Sequence, residues 1–246
     1  MCWVFASARP SLWSRRAAAV SAPWAIVPVK ILDTAKQRLA GVLPLEARRR
    51  LMLTMLRDVL ATLRQVKRLG SVLVVTPDAQ AAEVALACGA LVLREERAQG
   101  HTEAAMAGLR YARSHGAAVG VTLPADAPCV TPDEIGRVIE AGVGGPHPCV
   151  ALVPARDGDG TNAVLAAPPD VFPLSFGPGS FARHLAAAEA QRLSCGIVEL
   201  PGLAMDIDEP RDLAELMARK LSDPCYAFLW NDGGRVREMA VQTDRS

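Results

Sequence analysis

The strongest constraint on the fold is an alternation of short apolar runs with longer segments of helical spacing, from about residue 24 to residue 219. Apolar runs bounded by turn residues are typical of buried strands, and apolar residues three or four positions apart predict amphipathic helices. Strands that alternate with helices indicate an α/β domain with a mostly parallel sheet and helices on both faces. The predicted strands cover residues 25–29, 72–75, 91–93, 118–123, 149–153, 163–166 and 196–200. The predicted helices cover residues 46–68, 79–88, 102–114, 180–192 and 210–219, and another begins at Thr131-Pro132.

The two ends of the chain differ in composition from this central part. Residues 1–23 are rich in Ala, Ser and Arg and contain no acidic residue. We expect a flexible N-terminal extension there, with an organelle-import leader as the alternative. The folded domain is predicted to cover residues 24–220, and residues 221–246 are predicted to form a partly disordered C-terminal tail.

Composition excludes several classes of protein. Lys and Arg number 27 against 26 Asp and Glu, so the net charge of +1 argues against a nucleic-acid partner bound by bulk charge. No apolar run approaches the roughly 18 residues of a membrane span, so no membrane association is expected. The six cysteines form no CxxC pair and no zinc-finger spacing. We therefore predict unpaired thiols and a cytoplasmic location.

Three cations follow the first predicted strand: Lys30, Lys36 and Arg38. Ligands bind open parallel sheets beyond the carboxyl ends of their strands, and several phosphates would need such a concentration of charge. A solvated basic loop would show the same pattern. The chain contains neither GxGxxG nor GxxxxGK[ST], so a dinucleotide fingerprint and a P-loop are both excluded.

Acidic residues follow two later segments. Asp126 comes directly after an apolar strand and stands between Pro124 and Pro128, where it could hold a divalent cation or simply cap a turn. Asp206 and Asp208 alternate in an apolar segment that we interpret as the end of a strand, which would place both carboxylates on one face. With Asp126 they would supply carboxylates from two separate segments to one Mg²⁺ ion. Helix capping by Asp208 is compatible with that role.

Two polar loops complete the candidate site. Residues 156–162, RDGDGTN, lack the closing glutamate of an EF-hand, so we interpret them as a substrate loop whose glycines let backbone amides approach a ligand. Residues 176–184, FGPGSFARH, enter a helix near Ser180, and amides with a hydroxyl at a helix N-terminus bind anions. An ordinary serine-capped loop is the alternative. His184 is interpreted as a packing residue.

Together these motifs resemble the family of 2-phospho-L-lactate guanylyltransferases, which also act on phosphoenolpyruvate or 3-phosphoglycerate in the biosynthesis of the deazaflavin coenzyme F(420). The matching segments occur in family order over about residues 24–219: VPVK with AKQRLAGVL, LRDVL, VVTPD, LPADAP, RDGDGTNAVL, FGPGSFARH and MDIDEPRDL. RDGDGTN and FGPGSF are the most specific, whereas LPAD and DIDEP alone would indicate only the wider class. The resemblance implies a single-domain, nucleotidyltransferase-like three-layer sandwich.

The resemblance also implies an activity, a Mg²⁺-dependent transfer of GMP from GTP to a small phosphorylated carboxylic acid with release of pyrophosphate. GTP and that acid are the implied partners, and a homodimer is one option for the assembly. The acid would contact Thr161, Gly177 and Ser180. Metal would be held by Asp126 and Asp208, with Asp206 retained as the alternative to Asp208. Catalytic charge along the triphosphate is assigned to Lys30, Lys36 and Arg38.

One departure and two alternatives accompany this reading. Residues 100–103 read GHTE where family members often have Gly-Leu-Asn, which puts the nucleotide contacts there in question. A molybdenum-cofactor or sugar-phosphate nucleotidyltransferase would usually begin with a Leu-Ala-Gly-Gly loop, whereas this chain has VPVK. A non-catalytic nucleotide-binding regulator would bind GTP without releasing pyrophosphate. The sequence does not choose among the three acids.

Overall fold

A single eight-stranded sheet organises the chain in the computed structural model, which describes residues 3–5, 22–97, 99–144, 146–220 and 222–232. The spatial order is β1-β4-β3-β2-β5-β7-β6-β8. Pairings among β4, β3, β2 and β5 are parallel, β7 is antiparallel to both its neighbours, and β1 is an antiparallel edge. The strands are β1 Trp3–Phe5, β2 Trp24–Pro28, β3 Ser71–Thr76, β4 Leu91–Arg94, β5 Gly120–Thr122, β6 Cys149–Pro154, β7 Thr161–Ala167 and β8 Ser194–Ile197.

Helices cover both faces of this sheet. Buried residues of α1, α2, α4 and α6 form one core, and those of α3 and α5 form the core on the opposite face. The helices are α1 Leu45–Gln65, α2 Ala79–Ala87, α3 His101–Ser114, α4 Pro132–Val143, α5 Ser180–Ala190, α6 Pro210–Arg219 and α7 Phe228–Asp232, with 3₁₀ turns at Leu32–Thr34, Gln37–Leu39 and Pro224–Tyr226. The predicted three-layer α/β sandwich with a mostly parallel sheet is confirmed. Within the described ranges, no helix combines the length and apolarity needed to cross a membrane.

The central strands are uninterrupted apolar runs because each of their faces packs on a different core. In β3, Val72 and Val74 belong to one core, whereas Leu73 and Val75 belong to the other. Successive side chains of a strand point to opposite faces, so a strand covered on both sides is apolar throughout. This is why such short runs were sufficient to locate the strands in the sequence.

The segment that carries Asp206 and Asp208 is not a strand, which corrects the sequence interpretation. Residues 205–208 form no ladder, and the Ile207 N–H instead donates to the backbone oxygen of Asp126 at 3.1 Å. Met205 and Ile207 are nevertheless buried while the two aspartates are only partly so. Buried apolar and partly exposed acidic side chains therefore alternate along the segment although it is not part of the sheet. The apolar side chains pack inward beside the Asp126 turn.

Both predicted terminal segments contain ordered structure within the described residues. Residues 3–5 pair with β4, and the packed domain extends beyond residue 220 because Tyr226 and Leu229 are fully buried. The Tyr226 hydroxyl donates to Asp58 Oδ2 on α1 at 3.0 Å. Residues 1–2, 6–21, 221 and 233–246 lie outside the described residues. The flexibility expected for them stays a prediction.

Helix α4 contains two glycines with opposite expected responses to alanine. A Cβ at Gly136 would meet no atom within 4 Å, whereas a Cβ at Gly142 would overlap the side chain of Leu165 on β7. We expect Gly136→Ala to stabilise the fold by about 0.5–1 kcal/mol through reduced unfolded-state entropy. Gly142→Ala should destabilise it by about 1–3 kcal/mol through overpacking. Urea unfolding of the two variants measures the difference, and equal effects would contradict this packing of α4 on the sheet.

Candidate active site

The centre of the candidate site is a buried lysine held between two acids. Asp126 lies in the turn after β5, Asp208 lies just before α6, and Lys36 lies between the two 3₁₀ turns that follow β2. Lys36 Nζ donates to Asp126 Oδ2 and, at 2.7 Å, to Asp208 Oδ1. The backbone of Lys36 is left-handed, with φ 54° and ψ 40°, a conformation that costs an L-residue about 1–2 kcal/mol. The fold thus keeps Lys36 in an unfavourable backbone conformation, and in that conformation its ammonium reaches both carboxylates.

The charges in this cluster support one another. The Lys36 side chain is 3% exposed, and burial alone would lower its pKa, but Asp126 and Asp208 outweigh that effect and the pKa is raised. For Asp126, burial acts to raise the carboxyl pKa, yet the Lys36 ammonium outweighs it and the pKa is lowered. Both shifts favour the charged form, so Lys36 and Asp126 are an ion pair at neutral pH.

Asp206 lies beside this pair, and no cation among the described residues pairs with it. Its pKa is raised by burial and then by the neighbouring charges of Asp126 and Asp208, against the effect of the Asn162 amide. Asn162 Nδ2 donates to Asp206 Oδ1 at 3.2 Å and to the Leu203 backbone oxygen at 3.0 Å. Asn162 belongs to the RDGDGTN segment, so its side chain connects the acidic cluster to the predicted substrate loop.

The donor set at this cluster fits a magnesium ion. Mg²⁺ is usually bound by one or two carboxylates together with substrate phosphates. Lys36 engages one oxygen of Asp126 and one of Asp208, and each carboxylate has about four lone-pair positions. The second oxygen of each can therefore accept a cation that phosphate ligands complete. Within the described residues, no ready-made site of three or more His, Cys, Asp or Glu side chains is present.

A second cluster joins the two predicted substrate loops through His184. The Ser175 N–H donates to His184 Nε2 at 2.9 Å, and His184 Nδ1 lies 2.9 Å from Thr161 Oγ1. Burial, aided by Arg183, lowers the pKa of His184 to about 4, so the ring is neutral. Because Nε2 accepts a hydrogen bond, the single ring proton is on Nδ1 and is donated to the Thr161 hydroxyl.

The hydroxyl groups of Thr161 and Ser180 are consequently set up as donors. Thr161 Oγ1 accepts from His184, and Ser180 Oγ accepts from the Thr161 N–H at 2.9 Å. Both residues are buried, and because each oxygen already accepts one hydrogen bond, each hydroxyl proton is left to be donated. Interpreting His184 as a packing residue was incomplete: it packs against Phe172 and Phe176, but its two ring nitrogens also connect the loops.

Backbone contacts make the two loops one unit. The Gly179 N–H donates to Asp159 Oδ2 at 2.6 Å, and the Phe181 N–H donates to the Asp159 backbone oxygen at 3.0 Å. Gly177 and Gly179 have φ values of 112° and 68°, which glycine adopts without steric cost. The FGPGS turn therefore needs these glycines, and it presents the start of α5 beside Thr161.

The remaining predicted residues are divided between the cleft and the outer surface. Lys30, at the end of β2, lines the cleft that also contains Lys36, Asp126 and Asp208. Arg38 has a side chain 71% exposed and lies 3.5 Å from Glu209, so it is on the outer surface. The Lys36 ammonium contacts Asp126 and Asp208 instead of pointing to where the triphosphate was expected. The sequence pattern did not predict this location.

The GHTE departure at residues 100–103 supports the FGPGS loop. The Phe176 N–H donates to Thr102 Oγ1 at 3.1 Å, and the rings of His101 and Phe176 meet edge to face at 4.8 Å. Burial lowers the pKa of His101 to about 4, against a raising effect of Asp126. Sequence reasoning did not assign these contacts. The only available signal was that these residues begin a helix soon after a strand.

Comparison with known proteins identifies the family. The family model described as "Guanylyl transferase CofC like" matches residues 24–239. The chain belongs to this guanylyltransferase family. It is 43% identical over 195 residues to a phosphoenolpyruvate guanylyltransferase of Rubrobacter xylanophilus, covering 79% of this chain and 93% of that protein. It is 33% identical over 199 residues to a 3-phospho-D-glycerate guanylyltransferase of Colwellia psychrerythraea, covering 81% of this chain and 92% of that protein.

Solved structures place this CofC-like chain in the nucleotidyltransferase fold. A protein of Desulfovibrio desulfuricans G20, provisionally assigned as a nucleotide-diphospho-sugar transferase, superposes with a TM-score of 0.70 at 17% identity, covering 89% of this chain and 98% of the other. CMP:2-keto-3-deoxy-manno-octonic acid synthetase in complex with CTP gives a TM-score of 0.59 at 13% identity, covering 82% and 100%. At these identities the likeness concerns the fold alone. The predicted family is confirmed, and the molybdenum-cofactor and sugar-phosphate alternatives are not favoured.

Proposed function

We propose that this protein transfers GMP from GTP to a small phosphorylated carboxylic acid, with phosphoenolpyruvate as the first candidate, as a step of coenzyme F(420) biosynthesis in the cytoplasm. The observation that carries the proposal is the Lys36-Asp126-Asp208 cluster at the end of the parallel strands, next to Asp206, which accepts from the side chain of Asn162 in the RDGDGTN segment. A relative of that name at 43% identity supports phosphoenolpyruvate. The five described cysteines are free thiols, as a reducing compartment requires.

The chemistry requires alignment rather than a side-chain base. The attacking atom is a phosphate oxygen of the acid, which is largely dianionic at neutral pH because its second pKa is about 6. A bond forms between that oxygen and the α-phosphorus of GTP, and the bond from the α-phosphorus to the pyrophosphate oxygen breaks. The two anions repel each other, so the protein has to position them and neutralise charge at the α-phosphate and the leaving group.

Each cluster has one part in this reaction. Thr161 and Ser180 would donate their hydroxyl protons to the phosphate or carboxylate of the acid, with the backbone of Gly177 close by. Asp126 and Asp208 would hold Mg²⁺, with Asp206 beside them, and the bound ion supplies charge neutralisation and Lewis acidity at the phosphoryl oxygens. Lys36 fixes the two carboxylates relative to each other, and Lys30 faces the triphosphate from the end of β2.

Pyrophosphate release is the direct test of this function. The purified full chain, given GTP and Mg²⁺, is expected to release pyrophosphate with at least one of phosphoenolpyruvate, 3-phosphoglycerate and 2-phospho-L-lactate, and most rapidly with the first. Without any acid, release should fall to background. Tight GTP binding without release for all three acids would overturn the proposal and favour the non-catalytic regulator.

Two substitutions at His184 should separate its two hydrogen bonds. In His184→Gln, the longer amide can reach the Nε2 position near Ser175 but leaves Thr161 without its donor. His184→Asn places an amide near Nδ1 and keeps that donor. We expect the KM for the phospho-acid to rise about tenfold in the Gln variant, and less in the Asn variant, at an unchanged KM for GTP. Steady-state kinetics with each substrate varied checks this, and equal increases in both KM values would contradict it.

A further inference from the structure

A second cavity adjoins the acidic cleft on the side of β4. Its volume is about 200 Å³, and it shares Lys30 and His101 with the cleft that contains Asp126 and Asp208. Pockets for drug-sized ligands are roughly 300–1,000 Å³, so this one suits a fragment such as a flat base. Its other lining residues include Pro28, Pro77 and Ala104, whose side chains are apolar. A nucleotide whose base enters this cavity can direct its phosphates past Lys30 to the acids.

One carboxylate in this cavity has no partner within the part of the chain that the structure describes. Glu95 directly follows β4, its backbone N–H donates to the Thr76 oxygen at 3.2 Å, and the residue is only 7% exposed. Among the described residues, nothing donates a hydrogen bond to its carboxylate or forms an ion pair with it. Burial raises its pKa. Glutamate is almost never this buried unless it is paired, so the group is in position to receive donors from a ligand.

We propose that Glu95 selects guanine by accepting hydrogen bonds from N1–H and the 2-amino group of the base. This inference rests on the proposed function, and it assigns the nucleotide specificity to a residue. A carboxylate offers only acceptors and can take two adjacent donors side by side. On its Watson–Crick edge guanine presents two such donors next to each other. Adenine and cytosine pair one amino donor with a ring-nitrogen acceptor, and uracil places its single N–H between two carbonyls.

Glu95→Gln tests the inference through a gain of activity rather than a loss alone. The glutamine oxygen still accepts from N1–H, but its amide would face the 2-amino group of guanine donor to donor. Xanthine has a carbonyl at that position, which accepts from the same amide. We expect kcat/KM for GTP to fall about 100-fold in the variant while activity with XTP rises above it. The wild type should prefer GTP to XTP and to ATP.

The control is Glu83→Gln, on the exposed side of α2, which should leave the nucleotide preference unchanged. Competition of GTP, XTP and ATP against a fluorescent GTP analogue gives the same comparison by binding alone. If the wild type prefers GTP and Glu95→Gln prefers XTP in that assay, but no acid gives pyrophosphate release, the proposed function fails and the assignment of Glu95 stands. If Glu95→Gln binds nucleotide with the wild-type order of preference, the assignment of Glu95 is overturned while the proposed function is unaffected.

Discussion

Asp126→Asn is expected to lower kcat with GTP and phosphoenolpyruvate by about 1,000-fold, because it removes one of two carboxylates that would hold the metal. The thermal midpoint of unfolding should fall too, but by less than in Lys36→Met, because Lys36 keeps Asp208 as a partner. The amide has the same shape, and the Asp126 backbone oxygen still accepts from the Ile207 N–H. Pyrophosphate release under saturating substrates measures the loss, and a thermal melt verifies the fold.

The matched control for this substitution is Asp170→Asn. Asp170 is exposed and pairs with Arg113 at 3.7 Å, away from the described cleft residues. It should retain wild-type turnover. If Asp126→Asn kept most of the Mg²⁺-dependent activity, the proposed role of Asp126 in holding the metal would be wrong. Among the described carboxylates, Asp126 is the one that lies in the turn after β5 and also contacts Lys36.

Lys36→Met is expected to be the most destabilising single change at the site. It leaves Asp126 and Asp208 close together without the cation between them, and losing one partner of a buried ion pair is costly. Because Asp208 is 48% exposed, solvent screening reduces the cost to about 2–3 kcal/mol. For a chain of this size that is roughly 4–12 °C in the thermal midpoint. The control Lys67→Met, on the surface, should change it little.

Magnesium provides a second measurement on the same variant. Two carboxylates that have lost their ammonium bind an external cation more favourably, so Mg²⁺ should raise the melting temperature of Lys36→Met more than that of the wild type. An identical shift in both proteins would mean that Asp126 and Asp208 do not form a common cation site.

The sequence predicted the elements of the fold because the local signals were strong. Strands β2 to β7 contain short apolar runs, and α4 begins at the Thr131-Pro132 start with a capping box that includes Glu134. The last strand, β8, is largely exposed and covers Ser194–Ile197 rather than the predicted residues 196–200. Two features were not predictable in this way. Residues 205–208 show the alternation of a strand but find a single backbone partner in the Asp126 turn. Residues 222–232 lack periodicity, yet Tyr226 is buried through tertiary contacts with α1.

At the site, the residues that follow strands could be listed from the sequence, but their pairings could not. Asp126 and Asp208 were identified from their segments, whereas their contact with Lys36 depends on a left-handed backbone at a lysine. The role of His184 depends on two loops that are distant in sequence. Glu95 follows a strand like the others, but a single glutamate in a charged segment gives no sign that it is buried with no partner among the described residues.

In the proposed site, the nucleotide and the phospho-acid are assigned to different halves of the sheet, which meet at the antiparallel β7. The parallel half, β4-β3-β2-β5, supplies Lys36, Glu95 and Asp126, whereas the β6–β7 hairpin and α5 supply Thr161 and Ser180. A hairpin tip can change its length and residues without altering the register of the parallel strands. We therefore expect exchanges at the tip of the β6–β7 hairpin to alter the choice of phospho-acid without altering the nucleotide preference; relatives of this chain are named for two different phospho-acids.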